Sequence, residues 1–279
     1  MSNRVYEIVT EKILAALESG TAPWHKPWKA GIPRNAISNR PYSGVNALLL
    51  GMAPYSDPRW LTMKQANEKG GRIRKGEKFT LVIFWRQNTV TQENDDGDLT
   101  EKQIPLLRYY LVWNVEQCDG LDLPALETHK VDVIAQAEAI IANMPSPPRI
   151  SYDGGGKAYY VPARDSIHLP HRNSFDSASE YYSTLFHELT HSTGHQSRLN
   201  RPTLTEVVPF GSETYSKEEL VAEFGAAFLN AHAGTPTTIN NSASYINGWL
   251  KRLQSDPKLA ILAASQGQKA ADYIMGQTS

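Results

Sequence analysis

Tyr181-Tyr182-Ser183-Thr184-Leu185-Phe186-His187-Glu188-Leu189-Thr190-His191 is the stretch that decides the C-terminal half of this chain. Its aromatic and aliphatic residues recur at helical spacing, which predicts a helix over 176–193. Four residues make about one helical turn, so His187 and His191 project from one face and can grip one ion. Glu188 lies beside them, within reach of a water held by that ion. Zinc lowers the pKa of such a water to about 7, which supplies a nucleophile at neutral pH. Chance alone would produce H-E-x-x-H in roughly one chain in a hundred of this size. The apolar Tyr181, Tyr182, Leu185, Phe186 and Leu189 add a rigid footing for the two imidazoles.

A catalytic zinc site needs a third protein ligand and one open position. Three residues compete for that role: His195, Glu219 and Glu223. His195 would share the face if the helix continued, but Gly194 predicts a stop before it. The position where metzincins carry their third histidine is Ser197. Glu219 and Glu223 lie four apart in Glu218-Glu219-Leu220-Val221-Ala222-Glu223, on a second predicted helix over 216–230. This arrangement resembles gluzincin-type peptidases. The resemblance implies Glu219 as the ligand and Glu223 as the acid that orients a ligand histidine. The expected cofactor is Zn2+, with another divalent metal as the alternative. Asp165-Ser166-Ile167-His168-Leu169 is expected to be the edge strand that pairs with an extended peptide. His168 and His171 read as ordinary surface histidines.

Outward from the motif, a helix is predicted near 131–143, closed by Pro145, and short strands at 149–152, 157–162 and 165–169. Asp256 before Pro257 predicts the N-cap and first turn of a final helix. In the N-terminal half, Val5, Ile8, Val9, Ile13 and Leu17 predict an amphipathic helix over 4–18, stopped by Gly20. A second short helix is expected over 43–50. Residues 79–90 and 103–116 predict a β-hairpin with a polar turn at Glu93–Asp98. Residues 119–130 read as a linker. The fold class is α+β in two domains, 1–125 and 130–279.

Charge divides the chain in the same place. Residues 1–90 hold fourteen Lys and Arg against six Asp and Glu, a net of +8, although the whole chain carries −1. Five of the six tryptophans fall in the first 113 residues. Between Arg59 and Arg86 there are eight basic and two acidic residues, densest around Arg72, Arg74, Lys75 and Lys78. Next to this cluster lies a predicted strand with Phe84 and Trp85, and cations interleaved with aromatics suit single-stranded nucleic acid, whose phosphates meet the cations and whose bases stack; Trp24 and Trp28 are further stacking candidates. A solvated basic turn and core tryptophans are the plainer alternative. The single Cys118 permits no intrachain disulfide and fits a reducing, cytoplasmic setting. No apolar run reaches the length of a membrane span.

From end to end the chain resembles the ArdC-type antirestriction proteins of conjugative plasmids. The likeness lies in Pro23-Trp24, Pro27-Trp28, Asn39-Arg40-Pro41-Tyr42-Ser43-Gly44-Val45-Asn46 and Lys75-Gly76-Glu77. It continues in His187 through His195, Arg198-Leu199 and Tyr215 through Phe228. The resemblance implies an N-terminal single-stranded-DNA-binding domain, a C-terminal zincin-like metallopeptidase domain, and protection of incoming plasmid DNA from host restriction. Two functional expectations follow. In one, the protein shields DNA and carries a peptidase-type centre. In the other, it is an active metallopeptidase that cleaves a host protein, such as a restriction component, and DNA binding only localises it.

Overall fold

The computed structural model describes residues 2–19, 22, 31–93, 99–124, 133–153, 155–205, 213–235 and 243–277. Trp24, Trp28, Gly20, Gly154 and most of the polar turn at 93–98 therefore lie outside the described residues.

The N-terminal half opens with helix α1 (Ser2–Glu18). Val5, Val9, Ile13 and Leu17 are buried, as the helical period requires. Strand β1 (Arg34–Asn35), helix α2 (Gly44–Gly51), strand β2 (Arg59–Leu61), helix α3 (Met63–Glu68) and strand β3 (Arg72–Ile73) follow. The expected hairpin is β4 (Thr80–Glu93) with β5 (Leu99–Asn114), antiparallel throughout, with Glu93 opposite Leu99. These elements make a sheet in the order β1-β2-β5-β4, which leaves β4 at an edge. α3 had no predicted counterpart. It starts at a capping box in which Thr62 and Gln65 satisfy each other's backbone donors.

The expected linker begins later than residue 119. Cys118–Asp119 forms strand β6, paired with β3, and Asp122 N–H donates to Lys69 O. The chain up to Asp122 is thus tied to β3 and to the end of α3.

The C-terminal half contains α4 (Val133–Ala142), β7 (Arg149–Ser151), β8 (Tyr159–Val161), β9 (Ser166–His168) and helices α5 (Ala178–Thr193), α6 (Pro202–Thr205), α7 (Glu213–Ala233), α8 (Ala243–Ser255) and α9 (Leu259–Ile274). The strand order is β7-β9-β8, so β9 is the middle strand, not the expected edge. Ile167 pairs with Ile150 on one side and Tyr160 on the other, so neither ladder is open to a peptide. The last helix starts two residues later than expected. Asp256 Oδ1 accepts from Lys258 N–H across a turn, and α9 begins at Leu259.

One apolar core joins the halves. It includes Val9 and Ile13 of α1, Leu48 of α2, Leu81 and Ile83 of β4, Tyr182, Phe186 and Leu189 of α5, Phe224 of α7, Leu253 of α8 and Ala264 of α9. Burying each large apolar side chain contributes about 1.5–3 kcal/mol. Two glycines set how closely the helices around α7 approach. A Cβ on Gly225 would lie 2.7 Å from Thr190 Oγ1 of α5, and one on Gly267 would lie 2.8 Å from Phe224 Cβ. Gly225 and Gly267 thereby let α5, α7 and α9 pack backbone against side chain, which brings the α7 glutamates to the histidines of α5.

Candidate metal centre

His187 and His191 stand one turn apart on α5, and Glu219 reaches them from α7. His187 Nε2 and His191 Nε2 are 3.2 Å apart. Glu219 Oε2 is 3.6 Å from His187 Nε2, and Glu219 Oε1 is 3.5 Å from His191 Nε2. Ligand bonds of about 2.0–2.1 Å at tetrahedral angles put donors about 3.3 Å apart, so the three side chains have the spacing of donors around one ion. Among the described residues they form a three-donor cluster. Glu188 is buried beside them on the same helix, at 7% exposure.

Electrostatics agree with that geometry. Burial pushes the His187 imidazole toward its neutral form. The Glu219 hydrogen bond and the charges of Glu223, Glu188 and Glu219 outweigh burial and lift its pKa to about 9. The surroundings therefore favour positive charge where the donors converge, and a divalent ion fits that demand.

Sequence reasoning missed Glu218. Its Oε1 lies 3.4 Å from His191 Nδ1, on the side of the ring away from Glu219. Arg201 grips the same carboxylate, with Nη2 2.5 Å from Oε1 and Nε 3.1 Å from Oε2, and Thr203 Oγ1 donates to Oε2 at 2.5 Å. Burial pushes Glu218 up, but the His191 hydrogen bond and the charge and hydrogen bonds of Arg201 hold it down at about 2. Arg201 also donates to Thr190 O and Thr193 Oγ1, so it ties this carboxylate to the end of α5. Three neighbouring glutamates in a sequence carry no signal of which one faces which ring nitrogen; only the returning loop with Arg201 separates them.

The other sequence candidates are placed as follows. Glu223 is 2% exposed, and its charge acts on His187. His195 lies beyond the end of α5, where its Nδ1 meets Ser197 Oγ at 2.7 Å, outside the three-donor cluster. Gly194 does follow the helix end, but with φ −73° and not in the left-handed form. Its lack of a side chain makes room for Arg201, whose Nη2 would be 2.9 Å from a Cβ there. His168, read as a surface histidine, is half-buried, with Nδ1 2.7 Å from Asp153 Oδ1. Arg72, Arg74, Lys75 and Lys78 are all exposed. Arg74, however, is braced by Glu77 at 2.8 Å, Asp119 at 3.6 Å and Glu116 O at 2.6 Å.

A paired-histidine helix with a glutamate from a following helix defines a zincin-like metallopeptidase domain, and the family model for that domain matches residues 135–266. The N-terminal domain of anti-restriction factor ArdC matches residues 3–113. The chain belongs to the ArdC family of antirestriction proteins. It is similar to the antirestriction protein ArdC of plasmid R388, solved metal-free (36% identity, TM-score 0.77) and bound to Mn(II) (35%, 0.78). Both likenesses cover 98% of this chain and 97% of the other. It is 32% identical to the uncharacterized protein y4eC of Sinorhizobium fredii, over 99% of this chain and 92% of that one. It is also 38% identical over 291 residues to DNA primase TraC of Escherichia coli. That alignment takes in 97% of this chain but spans 27% of the primase. Among the described residues no helix is long and apolar enough to cross a membrane.

Proposed function

We propose that this protein binds single-stranded DNA, protects incoming plasmid DNA from host restriction, and holds Zn2+ in a peptidase-type centre made by His187, His191 and Glu219. The observation that carries the metal reading is the convergence of three donors from two helices, the number of protein ligands that a catalytic zinc site uses. Two imidazoles and a carboxylate also suit manganese, which the R388 relative holds. A bound divalent ion would supply Lewis acidity toward a carbonyl oxygen and toward water.

The chain's own groups do the rest. His187 and His191 present their Nε2 lone pairs, and Glu218 fixes His191 by holding its Nδ1 proton. Glu188 serves as general base, takes a proton from the attacking water, and passes it to the leaving amine. Its burial keeps competing solvent away from that carboxylate.

DNA binding is supported by the +8 balance of residues 1–90, the ArdC N-terminal domain and the DNA-handling names among the relatives. The deciding experiment is Glu188→Ala in the full chain, tested for protection of DNA entering a restriction-proficient host. Loss of protection with DNA binding and metal retained supports a catalytic role for the centre. Full protection assigns the activity to shielding.

A further inference from the structure

At the free edge of the N-terminal sheet, the Asn46 side chain takes the place of a neighbouring strand. Its Oδ1 accepts from Ile83 N–H at 2.7 Å, and its Nδ2 donates to Ile83 O at 2.7 Å. The backbone of β4 is thereby held at residue 83, and the next side chain, Phe84, is set on the opposite face of the strand. On that face Phe84 lies opposite Arg108, and Val82 lies opposite Tyr110. Val82 is covered by Leu50 and Trp60. Past that cover, Phe84 and Tyr110 are 45% and 48% exposed, and Arg108 is exposed beside them. The two rings meet edge to face, with centroids 5.5 Å apart and an interplanar angle of 75°. Such contact covers at most one of their four ring faces.

Phe84 also borders a cleft of about 340 Å³ between the start of α2, β4 and α9. Tyr42, Ser43 and Lys269 line it, and no acidic residue does.

We propose that Phe84 and Tyr110 are a base-stacking platform for single-stranded DNA, with Arg108 and Lys269 meeting its phosphates and the cleft admitting one nucleotide. This rests on the DNA-binding reading above and moves the contact from the basic turn at 72–78 to the exposed part of the hairpin face that carries Phe84, Arg108 and Tyr110. Exposed rings flanked by cations suit a ligand that has π-faces and negative charge along its length. A protein partner would favour a charge-depleted apolar centre. The basic turn is the weaker candidate, because Arg74 is already braced by acids.

The test uses the full chain and fluorescein-labelled oligo(dT), read by fluorescence anisotropy across a salt series. Phe84→Leu and Tyr110→Leu keep apolar bulk and remove the ring. Each should weaken binding about tenfold. Phe84→Trp and Tyr110→Phe keep a ring and should bind like the wild type, which separates stacking from folding. Arg108→Gln should reduce the log–log salt slope by about 0.7. Wild-type affinity in both leucine variants would overturn the platform and leave the DNA-binding reading standing. A wild-type protein that binds no single-stranded DNA would overturn both. Loss confined to a triple Arg72→Ala, Lys75→Ala, Lys78→Ala variant would return the contact to the basic turn and overturn the platform.

Discussion

Glu218 and Glu219 are adjacent in the chain and face opposite nitrogens of one imidazole, Glu218 Oε1 3.4 Å from His191 Nδ1 and Glu219 Oε1 3.5 Å from His191 Nε2. In the proposed centre Glu219 is a ligand and Glu218 is the group that fixes the ring's tautomer. Removing an outer partner of a ligand histidine costs about 10–100-fold in metal affinity. Glu218→Gln should fall in that range by competition with a chromogenic chelator, and unchanged affinity would remove Glu218 from this role. Arg201→Ala leaves the Glu218 carboxylate buried without its cation. It should destabilise the metal-free protein by about 3–5 kcal/mol in denaturant unfolding, and a loss under about 1 kcal/mol would show that Arg201 is not the clamp.

Gly225→Ala tests whether helix approach builds the centre. The added methyl would collide with Thr190 and push α7 from α5. Overpacking of this kind costs about 1–3 kcal/mol. Metal affinity should fall along with the melting temperature, because Glu218 and Glu219 ride on α7. A variant with lower stability and wild-type metal affinity would show that the centre tolerates the displacement.

The Arg198 side chain is fully buried and pairs with Asp165 through two contacts of 2.7 Å. Burial raises the Asp165 pKa, but hydrogen bonds from Arg198 and Tyr160 and the Arg198 charge outweigh it, so the net shift is downward. A carboxyl lowered by folding contributes stability that is present above its unfolded value of about 3.9 and is lost as pH falls through the folded value. The wild type should therefore lose melting temperature below about pH 4. Asp165→Asn, which tolerates the left-handed φ of +46° there, should show a shallower fall. Parallel pH profiles for the two proteins would mean that Asp165 contributes nothing to acid sensitivity.

The elements built from local periodicity were legible in the sequence: α1, the β4–β5 hairpin, α5 and α7 follow from residue spacing. The pairing of the two histidines was legible too, because four residues make about one helical turn, whereas Glu219 as their neighbour came from the resemblance to gluzincin-type peptidases and not from spacing. What depended on the chain returning to itself was not legible. Arg201 reaches Glu218 through a loop after α5, Asn46 plugs the β4 edge from a distant helix, and β9 takes the middle of its sheet because β7 and β8 flank it. The charge split between the halves also hid the shared core, since α1 and α2 bury apolar residues with those of α5, α8 and α9.

In the proposed centre His187, His191 and Glu219 together hold one divalent ion. Elemental analysis after zinc or manganese loading and exhaustive dialysis tests it directly. The expected result is about one equivalent of metal in the wild type, in Glu188→Gln and in His195→Ala, and almost none in His187→Ala, His191→Ala or Glu219→Ala. A wild type that retains no metal, or a Glu219→Ala protein that retains a full equivalent while His195→Ala loses it, would show that these three side chains do not form the site.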